Sequence, residues 1–255
     1  MNLFTARIAS AAAAAVLLGA VLGGSTAALA AGGGYQTVSV RVDLDDRKSL
    51  QRGARTFINY CLSCHSAAFM RYNRMGDDLG LTEAQVTENL MFTTDKVGNT
   101  MDVAFKSEDA QTWFGVIPPD LSVIARARGE DWLYTYLMTF YKDESRPFGV
   151  NNLMFPAVGM PHVFESLQGI QRLKPLAEGA HPPSNPLRAL EIETPGSRSS
   201  GQFSKDMRDL VAFLVYMGEP AKLERYDLGM KVILFLLIFL WAARALKKEY
   251  WKDVH

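Results

Sequence analysis

Apolar positions along residues 46–60 recur with helical period: Leu50, Ala54, Phe57 and Ile58, followed by Cys61, lie at spacings of 4, 3, 1 and 3. That stripe predicts a helix whose buried face ends at Cys61. Upstream, Val38, Val40, Val42 and Leu44 alternate with Ser39, Arg41 and Asp43, the period of a short strand or an extended arm. Thr82 and Gln85 form a capping box ahead of Val86, Leu90 and Met91. Asp120 or Ser122 is placed to cap a further helix running to Arg128 and ending at Gly129. Glu130 to Tyr141 (EDWLYTYLMTFY) is apolar nearly all round, so it belongs deep inside or against something large and apolar. The stretches Pro147–Pro161 and Lys174–Ser204 are rich in Gly, Pro, Asn and Ser, and neither can form a long helix. Ser204 stands as the cap of a last helix whose Leu210, Val211, Leu214 and Val215 share one face and which stops near Gly218 and Pro220. The pattern predicts several helices of modest length joined by long loops, with little strand. Such a core is hard to close with side chains alone, and a large planar apolar cofactor would fill it.

Both ends of the chain read as membrane-addressed. Residues 1–31 carry Arg7, a small apolar run from Ala9 to Leu22 and Ala28-Leu29-Ala30, the pattern of a secretory signal cleaved after Ala30 or Ala31. Val232 to Ala243 is an uncharged run of about 18 Å as helix, short of the roughly 30 Å hydrocarbon core. Extended from Leu228 to Leu246, with Lys231 and Arg244 snorkelling, it reaches about 28 Å. We therefore expect an anchor over 227–247, an exported domain over 32–226 and a cytoplasmic tail over 248–255. The cluster Arg244, Lys247, Lys248 and Lys252 orients the helix with its carboxyl end inside.

The 27 basic and 27 acidic residues cancel overall. Residues 31–226 hold 21 basic and 24 acidic residues, a mildly acidic middle. That balance excludes a polybasic nucleic-acid binder, and the 48% apolar content excludes a disordered chain.

Cys61 and Cys64 are the two cysteines, in Cys61-Leu62-Ser63-Cys64-His65. C-x-x-C-H is the pattern of covalent haem attachment: two thiols reach the vinyl groups on one porphyrin edge while the next residue brings an imidazole to the iron. A thioredoxin-like thiol pair needs no histidine and sits in a βαβ setting, which the pattern lacks. A zinc site would need further ligands, and only His162, His181 and His255 remain among the histidines. For the opposite axial position Met160 stands out, with Gly159 before it and Pro161 after it favouring an extended loop that approaches closely. Met91 and Met138 lie in apolar helical patterns that read as core. His162 is the rival ligand, read otherwise as a surface or partner-facing residue. Arg126 and Arg128 stand two apart on a helix, so at most one of them can turn inward towards a propionate.

Taken together, R-G-A-x6-C-x-x-C-H-S (Arg52 to Ser66), P-P-D-L-S-x-I-x-x-A-R (Pro118 to Arg128), the Met160-Pro161 loop and a single carboxyl-terminal span resemble the cytochrome c1 family, in its proteobacterial form. These are the haem-bearing subunits of the quinol–cytochrome c oxidoreductase, or cytochrome bc1, complex. The resemblance implies a mainly α fold: a c-type cytochrome haem domain with long inserted loops and one C-terminal transmembrane helix. It implies one covalently attached haem c held by Cys61 and Cys64, iron ligation by His65 and Met160, Pro119 and Ile124 packed on the ring, and Arg128 paired with a propionate. It also implies a redox subunit in the respiratory chain that is no enzyme on its own. Electrons would arrive from a Rieske iron-sulfur protein and leave to a soluble or anchored cytochrome c, in a dimeric complex with a cytochrome b subunit, in the inner membrane with the haem domain periplasmic. Gly129-Glu130-Asp131 and Trp132 stand where the family has a longer turn and a tyrosine. Rival readings are another anchored carrier such as a terminal-oxidase haem subunit, a haem enzyme or gas sensor with an open sixth position, and a haem-free thiol oxidoreductase.

Overall fold

A computed structural model of the chain describes residues 35–253 apart from 104, 177, 178 and 180. The expected signal, residues 1–31, lies outside the described residues. Helix α1, Arg47–Tyr60, starts where the Asp46 carboxylate accepts the Ser49 amide (3.0 Å) and buries Leu50, Ala54, Phe57 and Ile58, the expected stripe. It packs against α8, Ser200–Gly218, the longest helix of the core. The two backbones cross so closely that a Cβ on Gly53 would run into the Asp209 carbonyl and come within 2.7 Å of the Phe213 Cβ. Glycine is required there because any side chain would push the helices apart. Beside the crossing, Phe57 and Phe213 meet at 5.6 Å between ring centroids, and both are fully buried.

The same crossing holds one buried carboxylate. Asp209 accepts from Ser49 Oγ (2.6 Å), Arg52 Nε (2.6 Å) and Lys205 Nζ (2.8 Å). Burial alone would raise its pKa, but the hydrogen bonds from Arg52, Lys205 and Ser49 outweigh it and hold the carboxyl below the usual range.

Around this pair lie short pieces. Strand β1 (Ala67–Arg71) leads to α2 (Tyr72–Leu79) and α3 (Glu83–Asn89), the latter opened by the expected Thr82–Gln85 capping box. β2 (Thr100–Met101) pairs antiparallel with β1, and α4 (Ser107–Phe114), α5 (Ile124–Arg128) and α6 (Glu130–Met138) follow. β3 (Phe140–Lys142) pairs with β4 (Val150–Asn152), Phe140 opposite Asn152. After α7 (Glu165–Gln168), β5 (Gly169–Leu173) pairs with β6 (Leu190–Pro195), a 3-10 turn over Pro186–Ala189 lying between them. The architecture is mainly α with three two-stranded antiparallel ribbons among the described residues, as the periodicity predicts.

Of the two readings offered for the arm before α1 one is realised, and two helix-cap expectations are corrected. Residues 35–43 form an extended arm rather than a strand, because its amides bond to side chains: Val38 N–H to Thr135 Oγ1 (2.8 Å) and Val40 N–H to the Asp131 carboxylate (2.7 Å). The final core helix starts at Ser199, whose capping box with Gln202 lies more than a turn before Ser204. Ser204 is inside the helix and meets the Tyr134 hydroxyl at 2.8 Å, fixing α6 to α8. Asp120 and Ser122 do not cap α5, whose N-terminus carries no side-chain cap. The buried run from Glu130 leaves the helix at Met138, and Phe140–Lys142 continue as strand.

Helix α9, Lys222–Tyr250, spans 29 residues with a mean hydropathy of 2.0 over its best 18-residue window, none of it buried within the chain. At about 1.5 Å per residue it extends some 43 Å, enough to cross a bilayer. The expected anchor, 227–247, lies wholly within it.

Candidate haem site

Cys61 to His65 continue α1 as a turn, with the Cys64 and His65 amides donating to the Cys61 carbonyl at 3.0 and 2.8 Å. Cys61 is buried, Cys64 and His65 half-buried. Burial pushes the Cys61 thiol up to about 12, the opposite of the lowered value that a redox-active thiol needs. The motif is anchored from the other side by the segment after α4. Leu121 N–H donates to the Ser66 carbonyl (2.8 Å), Ala68 N–H to the Asp120 carboxylate (2.9 Å) and Phe69 N–H to Ser122 Oγ (3.1 Å). Here Asp120 and Ser122, expected as helix caps, instead complete the backbone pairing of β1.

This zipper ends at His65, whose Nδ1 lies 2.8 Å from the Pro119 carbonyl. A carbonyl only accepts, so Nδ1 carries the proton and the Nε2 lone pair is left for a metal. Burial lowers the pKa of His65 despite the Pro119 bond and the nearby Asp120, which favours the neutral imidazole. Pro119 therefore acts first through its carbonyl, while its ring is exposed. Ile124 is half-buried against the core. The Arg128 guanidinium lies over the Trp132 ring at 4.9 Å and, among the described residues, has no carboxylate partner. Arg126 runs in the other direction, with its Cγ beside Gly218.

Met160 sits between β4 and α7 in a segment without regular structure. Side chains hold that segment. Buried Asn152 donates to the Tyr136 carbonyl (2.8 Å) and accepts from the Met154 (2.9 Å) and Phe155 (3.2 Å) amides. Asn151 accepts from the Ala157 amide at 2.9 Å, and Arg146 donates to the Ala157 carbonyl at 3.0 Å. These bonds fix Ala157 at φ 62°, a left-handed conformation unfavourable to a residue with a Cβ. Gly159 then passes so close to the segment after α4 that a Cβ would come within 2.8 Å of Val116 Cγ2. The segment that holds His65 through Pro119 thus also touches the residue before Met160.

Two residues were not foreseen in the sequence. The Tyr136 hydroxyl donates to Met160 Sδ at 3.3 Å, and burial pushes its phenol well above the usual range, so it stays a donor. Asn152 is the other. Tyr136 belongs to a column with Arg128, Trp132 and Phe140, four residues apart: Trp132 stacks on Tyr136 at 5.1 Å and Tyr136 meets Phe140 edge-on at 5.2 Å. That i, i+4 spacing was legible within an otherwise uniformly apolar run. His162 corrects an expectation in the other direction. It stacks on Phe140 at 5.0 Å with both ring nitrogens buried and, among the described residues, without a hydrogen-bond partner, and burial lowers its pKa to about 4. It is half-buried with its ring packed on Phe140, not a surface residue.

The donor set fits haem c. A neutral imidazole offers one free nitrogen, and a thioether is held in place by a hydroxyl. Trp113, Val116, Ile117, Val123 and Phe155 leave large apolar side chains exposed in the flanking segments, suited to a planar apolar ligand. No cluster of three or more His, Cys, Asp or Glu that could hold a metal ion occurs among the described residues. Fold and site define a c-type cytochrome on a carboxyl-terminal anchor helix.

A family model described as the Cytochrome C1 family matches residues 40–254. Cytochrome c1 of Allochromatium vinosum is 46% identical over 224 residues, covering 87% of this chain and 91% of that one. A Nitrosomonas europaea protein named Ammonia monooxygenase gamma subunit is 47% identical over 214 residues, covering 84% and 87%. The Cytochrome b/c1 of Bradyrhizobium diazoefficiens is 26% identical over 248 residues, covering 82% of this chain and 34% of that protein. The chain belongs to the cytochrome c1 family. Its cofactor is a c-type haem, its role is electron transport in a respiratory chain, and it is a membrane-anchored subunit.

Proposed function

We propose that this chain passes single electrons from a Rieske iron-sulfur protein to a soluble or anchored cytochrome c, as the cytochrome c1 of a dimeric bc1 complex that also holds a cytochrome b subunit. On this reading Cys61 and Cys64 would hold the haem through thioether links, and His65 Nε2 and Met160 Sδ would ligate its iron. Pro119 and Ile124 pack on the ring and Arg128 pairs with a propionate. Haem c, when bound, supplies a one-electron ferric/ferrous couple. The chain's own groups set the conditions for it. Pro119 orients the His65 imidazole and strengthens it as a donor through Nδ1–H. The thioether at Met160 favours a high potential, suited to accepting electrons from a high-potential iron-sulfur centre. Arg128, without a carboxylate partner among the described residues, would supply a positive charge for a propionate. The observation that carries this reading is the single segment after α4 that holds His65 through Pro119 and packs on Gly159 beside Met160.

The domain layout follows: a signal over 1–31, a periplasmic haem domain over 32–226, an anchor over 227–247 and a cytoplasmic tail over 248–255 in the inner membrane. Arg244, Lys247, Lys248 and Lys252 at the carboxyl end of α9 support that orientation. The mildly acidic exported part attracts a basic cytochrome c in a salt-dependent way. The Bradyrhizobium relative's name joins a cytochrome b to a c1, which supports a cytochrome b neighbour. The Nitrosomonas relative's name supports a different assembly, a monooxygenase. Purification from membranes through a tag on this chain separates them: copurification with a cytochrome b and a Rieske protein is expected, and monooxygenase polypeptides in their place would overturn the assignment. Replacing Met160 by Leu is expected to abolish the near-infrared thioether band of the ferric protein, and its survival would remove Met160 as ligand.

A further inference from the structure

The family resemblance, taken position by position, assigns no role to Tyr136. Its ring is clamped between Trp132, stacked at 9° between planes, and Phe140, met edge-on at 71°. Its carbonyl is bound by Asn152 Nδ2 at 2.8 Å, and the same Asn152 accepts the Met154 and Phe155 amides that begin the Met160 segment. Helix and segment are therefore registered to each other by one buried amide, and the hydroxyl is left with a single hydrogen-bond partner among the described residues, Met160 Sδ at 3.3 Å. A thioether is a weak acceptor, so the strength of this bond alone does not fix where the hydroxyl points. The clamp on the ring makes the choice.

We propose that Tyr136 is a positioning residue that tunes the electron carrier: its hydroxyl holds the Met160 sulfur in place and draws electron density from it, raising the affinity of the site for an electron. This rests on the reading of Met160 as an axial ligand. The direction follows from electrostatics. An O–H dipole with its positive end at the sulfur weakens the thioether as a donor. Ferric iron needs that donation more than ferrous iron does, so the bond favours the ferrous state. Tyr134, two residues earlier on α6, is the internal control, because its hydroxyl meets Ser204 Oγ at 2.8 Å instead of the sulfur.

The test is a redox titration of the intact, membrane-extracted protein as the parent, Tyr136→Phe, Tyr134→Phe and Met160→Leu. Phenylalanine keeps the clamped ring and removes only the oxygen. Poised at the parent's midpoint, Tyr136→Phe is expected to move the ferric-to-ferrous ratio from one to about three, a lowering of about 28 mV at 59 mV per tenfold for one electron, while retaining the ferric thioether band. Tyr134→Phe is expected to leave the ratio at one. A Tyr136→Phe ratio that stays at one, moves towards ferrous, or matches that of Tyr134→Phe would overturn the role of Tyr136, even with the band lost in Met160→Leu. Survival of the band in Met160→Leu would instead overturn the ligand assignment and this inference with it.

Discussion

His65 stands just past a 14-residue helix whose Leu50, Ala54, Phe57 and Ile58 are pressed onto α8, and Met160 stands in an irregular segment between β4 and α7. The first is held by apolar area, a glycine that lets two backbones cross, and one buried carboxylate. The second is held by hydrogen bonds that Asn151 and Asn152 accept and that Arg146 and Tyr136 donate, the last to a sulfur. Apolar packing is strong and non-directional, so it suits a motif that must present two thiols and an imidazole as one rigid block. Hydrogen bonds are weaker but directional, so they suit a lone side chain that must arrive at one point from a loop. In this reading the covalent side of the site is built for stability and the Met160 side for tuning.

The contrast can be broken most forcefully at the helix crossing. Phe213→Ala empties a fully buried position beside Gly53 and Phe57 and is expected to cost about 4 kcal/mol, read as a fall in the denaturant midpoint, with the visible spectrum of the remaining folded protein unchanged. Next, Asp209→Asn strips the charge that Arg52, Lys205 and Ser49 surround, at an expected cost of about 3 kcal/mol at pH 7. Because the folded-state pKa is depressed, this contribution is full above the unfolded carboxyl value of about 3.9 and is lost as pH falls through the folded one. Denaturant midpoints of parent and variant should therefore begin to approach each other only as pH falls below about 4, and meet below the depressed folded-state value. A gap that persists there would assign the loss to packing rather than charge.

On the other side, Asn152→Ala is expected to cost about 2 kcal/mol, less than either core change, yet to weaken the ferric thioether band that both core variants keep. If the ranking of the spectral effects were reversed, the division of labour between the two halves would fail.

Much of the first region was readable from the chain. The stripe from Leu50 to Ile58 locates a buried face, the Thr82–Gln85 box marks a helix start, and C-x-x-C-H specifies chemistry by spacing alone. The second region was readable only at Met160, through its Gly159 and Pro161 neighbours. Ser199 and Ser204 show the limit even for local signals: both are helix-capping residues by type, and only the reciprocal bonds with Gln202 select the first. Asp120 and Ser122 show a deeper limit, since their side chains serve β1 more than fifty residues earlier.

The order of residues alone determined the spacing of thiols and imidazole, the apolar faces of α1 and α8, and an apolar run long enough to become α9, because each depends on neighbours within a few turns. Only the folded structure decided that Tyr136 meets Met160, that Asn152 joins two elements, and that His162 packs on Phe140. Those contacts depend on how packed elements register against one another, and no local propensity encodes the distance between side chains that lie far apart along the chain.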